Sequence, residues 1–278
     1  MSVLVITLII LAGSYFAGLL GSLTGLGGGV VIIPLLTLLL NVNIHYAIGA
    51  ALISVIATSS GSAASYVKEG ITNIRLGMFL EIATTIGAMT GAMLALHIQT
   101  SVIAVVFGVI LIFSALMSLR PKKEIVNQRK SLWAEKLKLN SSYPTPNGPV
   151  SYGVLNVAGG FFMMLFAGVI SGLLGIGSGA LKVVAMDGIM RIPFKVSTTT
   201  SNFMIGVTAA ASAVVYLQRG YIDPGLSMPV VIGVLLGALT GSKILVHTKS
   251  SQWLRWVFAV IVTFLAVQMI YNGLNHKI

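Results

Sequence analysis

Two glycine clusters, 150 residues apart, interrupt apolar stretches of the chain. Residues 25–29 read Gly-Leu-Gly-Gly-Gly and residues 175–179 read Gly-Ile-Gly-Ser-Gly. A short helix that starts at such a cluster would direct unpaired backbone N–H groups and the positive end of its dipole toward the break, an arrangement that binds anions. We therefore predict an anion-binding site that includes Gly25, Gly27, Gly28, Gly29, Gly175, Gly177, Ser178 and Gly179.

Glycines have a second role in apolar bundles, because small residues let two helices approach closely. We expect this packing role for glycines spaced four residues apart, namely Gly87, Gly91, Gly237 and Gly241. The two clusters are denser than packing requires, which favours binding there. A dinucleotide-binding role is excluded, because no strand, acidic ribose partner or soluble βαβ unit surrounds the glycines.

A run of polar side chains opens an apolar segment in the second half of the chain. Residues 197–202 read Ser-Thr-Thr-Thr-Ser-Asn, whereas the equivalent residues 47–52 read Ala-Ile-Gly-Ala-Ala-Leu. Polar groups in an apolar bundle are costly without partners. We therefore predict donors to the oxygens of an anion at Thr198, Thr199, Thr200, Ser201 and Asn202. The alternative is that the hydroxyls bond to the preceding helical turn or cap the helix. The matched residues Thr58 and Thr208 are weaker candidates of the same kind.

Few ionisable side chains lie inside the apolar segments. Lys182 follows the second glycine cluster, where it either supplies a cation to an anionic substrate or extends to the membrane interface. Glu81 is the only acid well inside a long apolar segment. It is a candidate carrier of a coupling proton, although we favour the alternative that it reaches water near a helix end. These isolated groups lack the spacing of a catalytic set, which argues against an enzyme.

The composition is that of an integral membrane protein. Apolar residues make up 56% of the 278 residues and charged residues only 8%, far below the share in soluble domains. The absence of cysteine excludes disulfides and iron–sulfur clusters, and the four histidines include no pair suited to zinc. We therefore expect no metal and no cofactor. The net charge of +11 is expected to set membrane orientation rather than to bind nucleic acid.

The chain repeats itself with an offset of 150 residues. Residues 87–91, for example, read Gly-Ala-Met-Thr-Gly and return as Gly-Ala-Leu-Thr-Gly at 237–241. So long a period predicts two homologous halves of one bundle rather than a solenoid, whose units have roughly 20 to 50 residues. The predicted domains are a first transmembrane repeat, a basic cytoplasmic linker and a second transmembrane repeat, at 1–119, 120–150 and 151–278.

We predict an all-α polytopic membrane protein in which each half has four full transmembrane helices and one short broken or half helix after the glycine-rich turn. Apolar stretches of about 18 or more residues, enough to cross a bilayer, lie near 3–23, 45–67, 76–97, 101–119, 152–174, 196–217, 225–247 and 253–272. The short pieces lie near 30–41 and 180–190. We expect the N-terminus to be retained as the first helix, because it lacks a basic region and a cleavage site.

The basic linker predicts the orientation of the chain. Its seven lysine and arginine residues place it in the cytoplasm. If the short pieces re-enter without crossing, each half crosses four times and the halves run parallel. If they count as a fifth crossing, the halves are inverted, which moves four further cations to the cytoplasmic side: Arg191, Lys195, Lys249 and Arg255. The charge distribution therefore favours inverted repeats.

Several of these motifs resemble a known family. The paired glycine clusters, Pro-Leu-Leu at 34–36 and the run Thr-Ser-Asn-Phe-Met-Ile-Gly-Val-Thr-Ala-Ala at 200–210 resemble the sulfite exporter TauE/SafE family of bacterial and archaeal membrane permeases. The resemblance covers essentially the whole chain apart from the linker. It implies a multi-pass transporter of the plasma (inner) membrane that moves small organic or inorganic sulfur anions, such as sulfite or sulfonates, with coupling to protons.

Two departures between the halves indicate an asymmetric site. Val184 stands in the second half where the first has Pro34, and residues 50–51 are Ala-Ala where the second half has Thr-Ser. The site is therefore expected to be weighted to the second half.

These observations together predict a secondary transporter that moves a small sulfur-containing anion by alternating access. A passive channel could use the same broken helices, and transport of another small anion or metabolite is a further alternative. The expected partners are the anionic substrate, protons and the lipid bilayer, without nucleic acid. Gly-Ala faces are compatible with a homo-oligomer and equally with internal packing.

Overall fold

The computed structural model describes residues 3–24, 28–119, 131–145, 148–247 and 252–276, and this part of the chain is largely helical. The first half contains α1 (Val3–Thr24), α2 (Gly29–Pro34), α3 (Ile44–Lys68), α4 (Ile74–Ala95) and α5 (Thr100–Leu119). The linker contains α6 (Leu132–Lys136), β1 (Ser141–Thr145) and β2 (Gly148–Tyr152). The second half contains α7 (Val157–Leu174), α8 (Gly179–Val183), α9 (Phe194–Gln218), α10 (Pro224–His247) and α11 (Gln252–Leu274). π-Helical turns continue α2 over Leu35–Leu39 and α8 over Val184–Ile189.

Five of the described helices contain segments long and apolar enough to cross a membrane: Leu4–Gly21, Ile74–Ala95, Thr100–Met117, Val157–Leu174 and Phe194–Gln218. Shorter apolar stretches occur in α3, α10 and α11, at Ile44–Ser60, Pro224–Thr240 and Ala259–Leu274. The prediction of an all-α membrane protein is confirmed at this level. The four-plus-one arrangement of each half and the inversion of the repeats remain predictions.

Helices α4 and α7 come from different halves and pack together through glycines. A Cβ atom at Gly87 would lie 2.2 Å from the carbonyl oxygen of Leu165, and one at Gly91 would lie 2.0 Å from that of Val169. Only glycine lets the two backbones approach this closely. The predicted packing role is therefore confirmed for Gly87 and Gly91.

Helices α1 and α10 repeat these contacts with the 150-residue offset and with the halves exchanged. A Cβ atom at Gly237 would lie 1.9 Å from the carbonyl oxygen of Tyr15, and one at Gly18 would lie 2.2 Å from that of Val234. The packing role of Gly237 is thus confirmed, while the surroundings of Gly241 lie outside the described part of the structure. Each half therefore contributes one helix to each of the two pairs, α1 with α10 and α4 with α7.

The chain breaks sharply between α7 and α8. Gly175 ends α7 with φ 69°, and Gly177 and Ser178 follow with φ 70° and 43°. Left-handed residues cannot continue a right-handed helix, so the chain turns there. The segment that begins with α8 ends beside the start of α7, where the backbone N–H of Leu155 donates to the carbonyl oxygen of Met190 (3.1 Å).

The linker holds folded structure that its polar composition does not predict. Strands β1 and β2 form an antiparallel hairpin. Leu139, Tyr143 and Tyr152 are buried in one hydrophobic cluster with residues of α4, α7 and α9. Because β2 extends to Tyr152, α7 begins five residues after the predicted start near 152. The linker is thus packed against the helix bundle over its described residues.

Asn73 joins the linker to α4 and α9. Its Nδ2 atom donates to the carbonyl oxygen of Leu139 and to the hydroxyl of Tyr152, both at 2.9 Å. Its Oδ1 atom accepts from the backbone N–H of Leu76 (3.1 Å) and caps α4. Its own backbone N–H donates to Thr200 Oγ1 (3.1 Å). One residue therefore holds three elements together at the same end of the bundle.

Gly91→Ala should push α4 away from α7, because the added Cβ overlaps the carbonyl oxygen of Val169. Such overpacking costs about 1–3 kcal/mol, so we expect a melting temperature in detergent several degrees below that of the wild type. Gly188→Ala is the matched control, since its Cβ would make only an ordinary contact with Val184 at 3.9 Å. Equal melting temperatures for the two variants would contradict the close packing of α4 on α7.

Tyr152 should make stability depend on alkaline pH. Burial raises the pKa of its hydroxyl from 10.0 to about 12, so the folded protein keeps the group neutral where the unfolded chain ionises it. The contribution of this hydroxyl to the free energy of unfolding is complete below pH 10. About 2–3 kcal/mol of it is lost as the pH rises toward 12. The side chain in Tyr152→Phe cannot ionise. Between a pH below 10 and a pH near 12, the melting temperature of the wild type should therefore fall further than that of the variant. A fall of equal size in both proteins would show that other groups control alkaline stability.

Candidate functional site

Lys182 lies on α8 and is fully buried, with 0% of its side chain exposed. Its Nζ atom donates to Thr208 Oγ1 on α9 (2.5 Å). The alternative that this side chain extends to the membrane interface is therefore wrong. The structure instead places an ammonium group inside the bundle, where a charge is expensive unless partners surround it.

Thr208 connects Lys182 to Glu81 of α4. Its Oγ1 atom lies 2.6 Å from Glu81 Oε1 and 2.9 Å from the carbonyl oxygen of Met204, one turn earlier in α9. A hydroxyl has one proton to donate. While Thr208 accepts from Lys182, its proton can therefore serve the carboxylate or the carbonyl, but only one of them at a time.

Glu81 is buried in the middle part of α4, with 7% of the residue exposed. The preferred expectation that it reaches water near a helix end is therefore wrong. Its Oε1 atom lies 3.4 Å from Thr85 Oγ1 in addition to the contact with Thr208. Its Oε2 atom is buried and has no hydrogen-bond partner among the described residues. The carboxyl group thus has one oxygen available for a proton or another donor.

The Lys182 ammonium and the Glu81 carboxylate share Thr208 Oγ1, so the two charged groups are within about 5 Å of each other. At an effective dielectric constant of about 20, opposite charges at this distance attract by roughly 3 kcal/mol. This attraction offsets part of the cost of burying both charges. We refer to these three residues as the Lys–Thr–Glu cluster.

The break between α7 and α8 positions the lysine. Ser178 Oγ donates to the carbonyl oxygen of Ala167 (2.6 Å), which fixes the turn to α7. Ser201 Oγ donates to the carbonyl oxygen of Gly179 (3.2 Å), which fixes the start of α8 to α9. The backbone N–H of Lys182 donates to the carbonyl oxygen of Ser178 (3.1 Å) and closes the first turn of α8. This turn places the lysine side chain beside Thr208.

The structure brings the two glycine clusters into contact. A Cβ atom at Gly29 would lie 3.3 Å from the carbonyl oxygen of Gly175. Gly28 precedes α2 with ordinary helical angles, φ −69° and ψ −19°, in contrast to the left-handed residues of the second cluster. The predicted site residues Gly25 and Gly27 lie outside the described residues.

The hydroxyl run at the start of α9 is largely committed to bonds with protein atoms. Thr198 and Thr199 donate to the carbonyl oxygens one turn earlier, at 2.9 and 3.1 Å. Thr200 accepts from the backbone of Asn73, and Asn202 is only partly buried. For Thr198 and Thr199, the structure shows the alternative of hydroxyls bonded to the preceding helical turn. Binding of a substrate anion by the hydroxyl run stays a prediction.

The sequence singled out Glu81, Lys182 and Thr208 separately but not as one cluster. They belong to three helices and are separated along the chain by up to 127 residues, so no spacing rule connects them. The available signal was the presence of an acid and a base within apolar segments of different halves, since buried charges in membranes pair with one another. In the described part of the chain, no group of three or more histidine, aspartate or glutamate side chains is placed to hold a metal ion.

Lys182→Met should leave the Glu81 carboxylate buried without its compensating charge, which costs about 3–5 kcal/mol. We expect a marked fall in melting temperature, and we expect Glu81→Gln in the same chain to recover much of it, because the carboxylate is then removed as well. The four proteins of this double-mutant cycle are compared in the same detergent. Losses that simply add would contradict charge coupling through Thr208.

Comparison with known proteins identifies the family of this bundle. The family model described as Sulfite exporter TauE/SafE matches residues 10–269. A Bacillus subtilis protein named probable membrane transporter protein YunE is 27% identical over 266 residues, covering 93% of this chain and 95% of that protein. Another from the same organism, probable membrane transporter protein YdhB, is 27% identical and covers 85% of this chain and 89% of its own length.

The similarity extends to archaea. A Methanocaldococcus jannaschii protein, also named a probable membrane transporter protein, is 23% identical over 256 residues, covering 87% of this chain and 86% of its own length. No solved structure matches the chain significantly. These relatives are named as membrane transporters and not as enzymes. The chain therefore belongs to the sulfite exporter TauE/SafE family of membrane transporters.

Proposed function

We propose that the protein is a secondary transporter that moves small sulfur-containing anions, such as sulfite or sulfonates, across the plasma membrane with coupling to protons. The observation that carries the proposal is the fully buried Lys182, held by Thr208 and Glu81 inside a bundle of apolar helices. Ionisable groups in such a position are expensive and are typical of substrate and proton pathways. Family membership supports the choice of sulfur anions.

The proposed substrate site surrounds the break before α8. Lys182 supplies the cation, and the glycine clusters allow the anion to approach the backbone. The contact between Gly29 and Gly175 supports a single site shared by both halves. The remaining proposed contacts are Gly25, Gly27, Gly28, Gly177, Ser178, Gly179, Thr198, Thr199, Thr200, Ser201 and Asn202. Glu81 is the proposed carrier of the coupling proton.

The proposal includes two inverted halves. The bond between Leu155 and Met190 supports this arrangement, because the α8 segment ends on the side where α7 begins. The pair α7 and α8 then makes no net crossing, which leaves α9, α10 and α11. The second half then makes three net crossings. If the first half also makes three, which is an odd number, the second half begins on the opposite side of the membrane from the first.

The end of the bundle that holds the linker is proposed to face the cytoplasm. Arg75 at the start of α4 donates from Nη1 to the carbonyl oxygen of Lys138 (3.5 Å), so these cations lie at the same end as the linker hairpin. Lys136 of α6 is also exposed. An excess of cations on one side is typical of the cytoplasmic face of a membrane protein.

Contacts at the two ends of α4 support alternating access. At one end, Asn73 donates to Thr200 of the other half (3.1 Å). At the other end, His45 Nε2 lies 3.0 Å from the carbonyl oxygen of Ala95, and the imidazole stacks on Tyr221 with ring centroids 5.0 Å apart. The Asn73–Thr200 bond and the stack of His45 on Tyr221 each join the two halves. Opening one set at a time would expose the central site to one side of the membrane and then to the other.

The proposal is tested by uptake of labelled sulfite into proteoliposomes, with and without an imposed pH gradient and with thiosulfate, sulfoacetate and sulfate as competitors. We expect saturable, gradient-driven uptake in the wild type and at least tenfold lower uptake in Lys182→Met, because the anion loses its cation. Lys195→Met is the matched control, since Lys195 is exposed, and it should transport like the wild type.

Two results would contradict this proposal. Wild-type protein that is folded in the vesicles but moves no sulfur anion would remove the substrate assignment. Flux that never accumulates sulfite against its gradient would instead identify a channel.

A further inference from the structure

We infer that the Lys–Thr–Glu cluster carries one singly charged anion together with one proton, with the proton on Glu81. The inference rests on the proposed function and deepens it, because it specifies the charge of the substrate and the number of protons moved with it. It is carried by the hydrogen-bond geometry around Thr208 and by the balance of charge in the cluster.

The cluster is electrically balanced as it stands. It contains one ammonium group and one carboxylate, joined by the Thr208 hydroxyl. Glu81 and Lys182 are both buried, so a net charge there would be costly. Addition of one anion to Lys182 leaves the cluster with one excess negative charge. A single proton on Glu81 removes that excess, and the occupied site is neutral again.

Among the described residues of α4, α7, α9 and the segment that begins with α8, the other ionisable side chains are displaced from the cluster along their helices. Helix α7, which packs on α4, contains no ionisable side chain. Helix α9 contributes Lys195 and Tyr216, which are 13 and 8 residues from Thr208 along the helix. Asp187 follows Lys182 by five residues, more than one turn further along its segment. On α4 itself, Arg75 lies at the exposed end.

Thr208 allows the exchange of partners. In the arrangement observed, it accepts from Lys182 and has Glu81 Oε1 as an acceptor for its own proton. Once Glu81 is protonated, its O–H can donate to Thr208 Oγ1, and Thr208 can donate to the carbonyl oxygen of Met204, already 2.9 Å away. Every group keeps a partner, and the lysine no longer faces a carboxylate. Lys182 is then available to bind the incoming anion.

This balance selects the charge of the substrate. One protonatable carboxyl compensates one negative charge, so a sulfonate with a single charge or hydrogen sulfite fits the neutral occupied state. A dianion such as sulfate would leave one charge uncompensated in the bundle. The cluster should therefore discriminate against dianions by charge rather than by size.

The test measures sulfite uptake and proton uptake together in proteoliposomes that contain an entrapped pH-sensitive dye, with the membrane potential clamped by potassium and valinomycin. For the wild type we expect one proton for each anion, accumulation that rises about tenfold per pH unit, and no response to the membrane potential. Glu81→Gln should lose the pH-driven accumulation and acquire a dependence on membrane potential. Glu81→Asp should restore proton coupling, and the exposed Glu69→Gln should behave as wild type.

The outcomes separate this inference from the proposed function. Saturable wild-type sulfite uptake that responds to the membrane potential, or that moves no proton, would overturn the inference alone. The same holds if Glu81→Gln keeps full pH-driven accumulation. If folded wild-type protein shows no saturable flux of sulfite, the proposed function fails and the inference fails with it.

Discussion

The burial of one lysine ammonium inside an apolar bundle is the constraint on which the rest of the structure depends. Lys182 lies on the short helix α8, and its compensating carboxylate comes from α4 in the other half of the chain. The charge is tolerable only if α4, α8 and α9 keep their mutual positions. The glycine contacts between α4 and α7, and the bonds of Asn73 and Ser201, hold these helices together.

The apolar stretches and the four-residue spacing of glycines predicted the helices and the close contacts at Gly87, Gly91 and Gly237, because both are local signals in the sequence. The Lys–Thr–Glu cluster was not predictable in this way. Positions equivalent to Lys182, Thr208 and Glu81 in the repeat are occupied by Ile32, Thr58 and Val231. The chemistry therefore departs from the repeat, and only the tertiary arrangement shows that Glu81 belongs with Lys182.

The linker shows the opposite limitation of sequence patterns. Its charges and prolines are typical of a loop and do not predict a hairpin. The structure nevertheless contains one, and its tyrosines are buried against the helices. The stabilising contacts come from Asn73, which stands 66 residues before Leu139. Local composition carries no information about a partner so distant along the chain. The predicted start of α7 near residue 152 is wrong for the same reason, because the apolar stretch does not show that β2 continues to Tyr152.

The exchange of helices between the halves has a consequence for biosynthesis. Gly18 of α1 packs against Val234 of α10, so α1 enters the membrane when its partner is still about 200 residues from being translated. During that interval the backbone of α10 is not yet present, and the small-residue face of α1 contacts only lipid or an insertion factor. Assembly of the bundle must therefore finish late, after synthesis of α10, and a chain truncated before that helix would leave α1 without its partner.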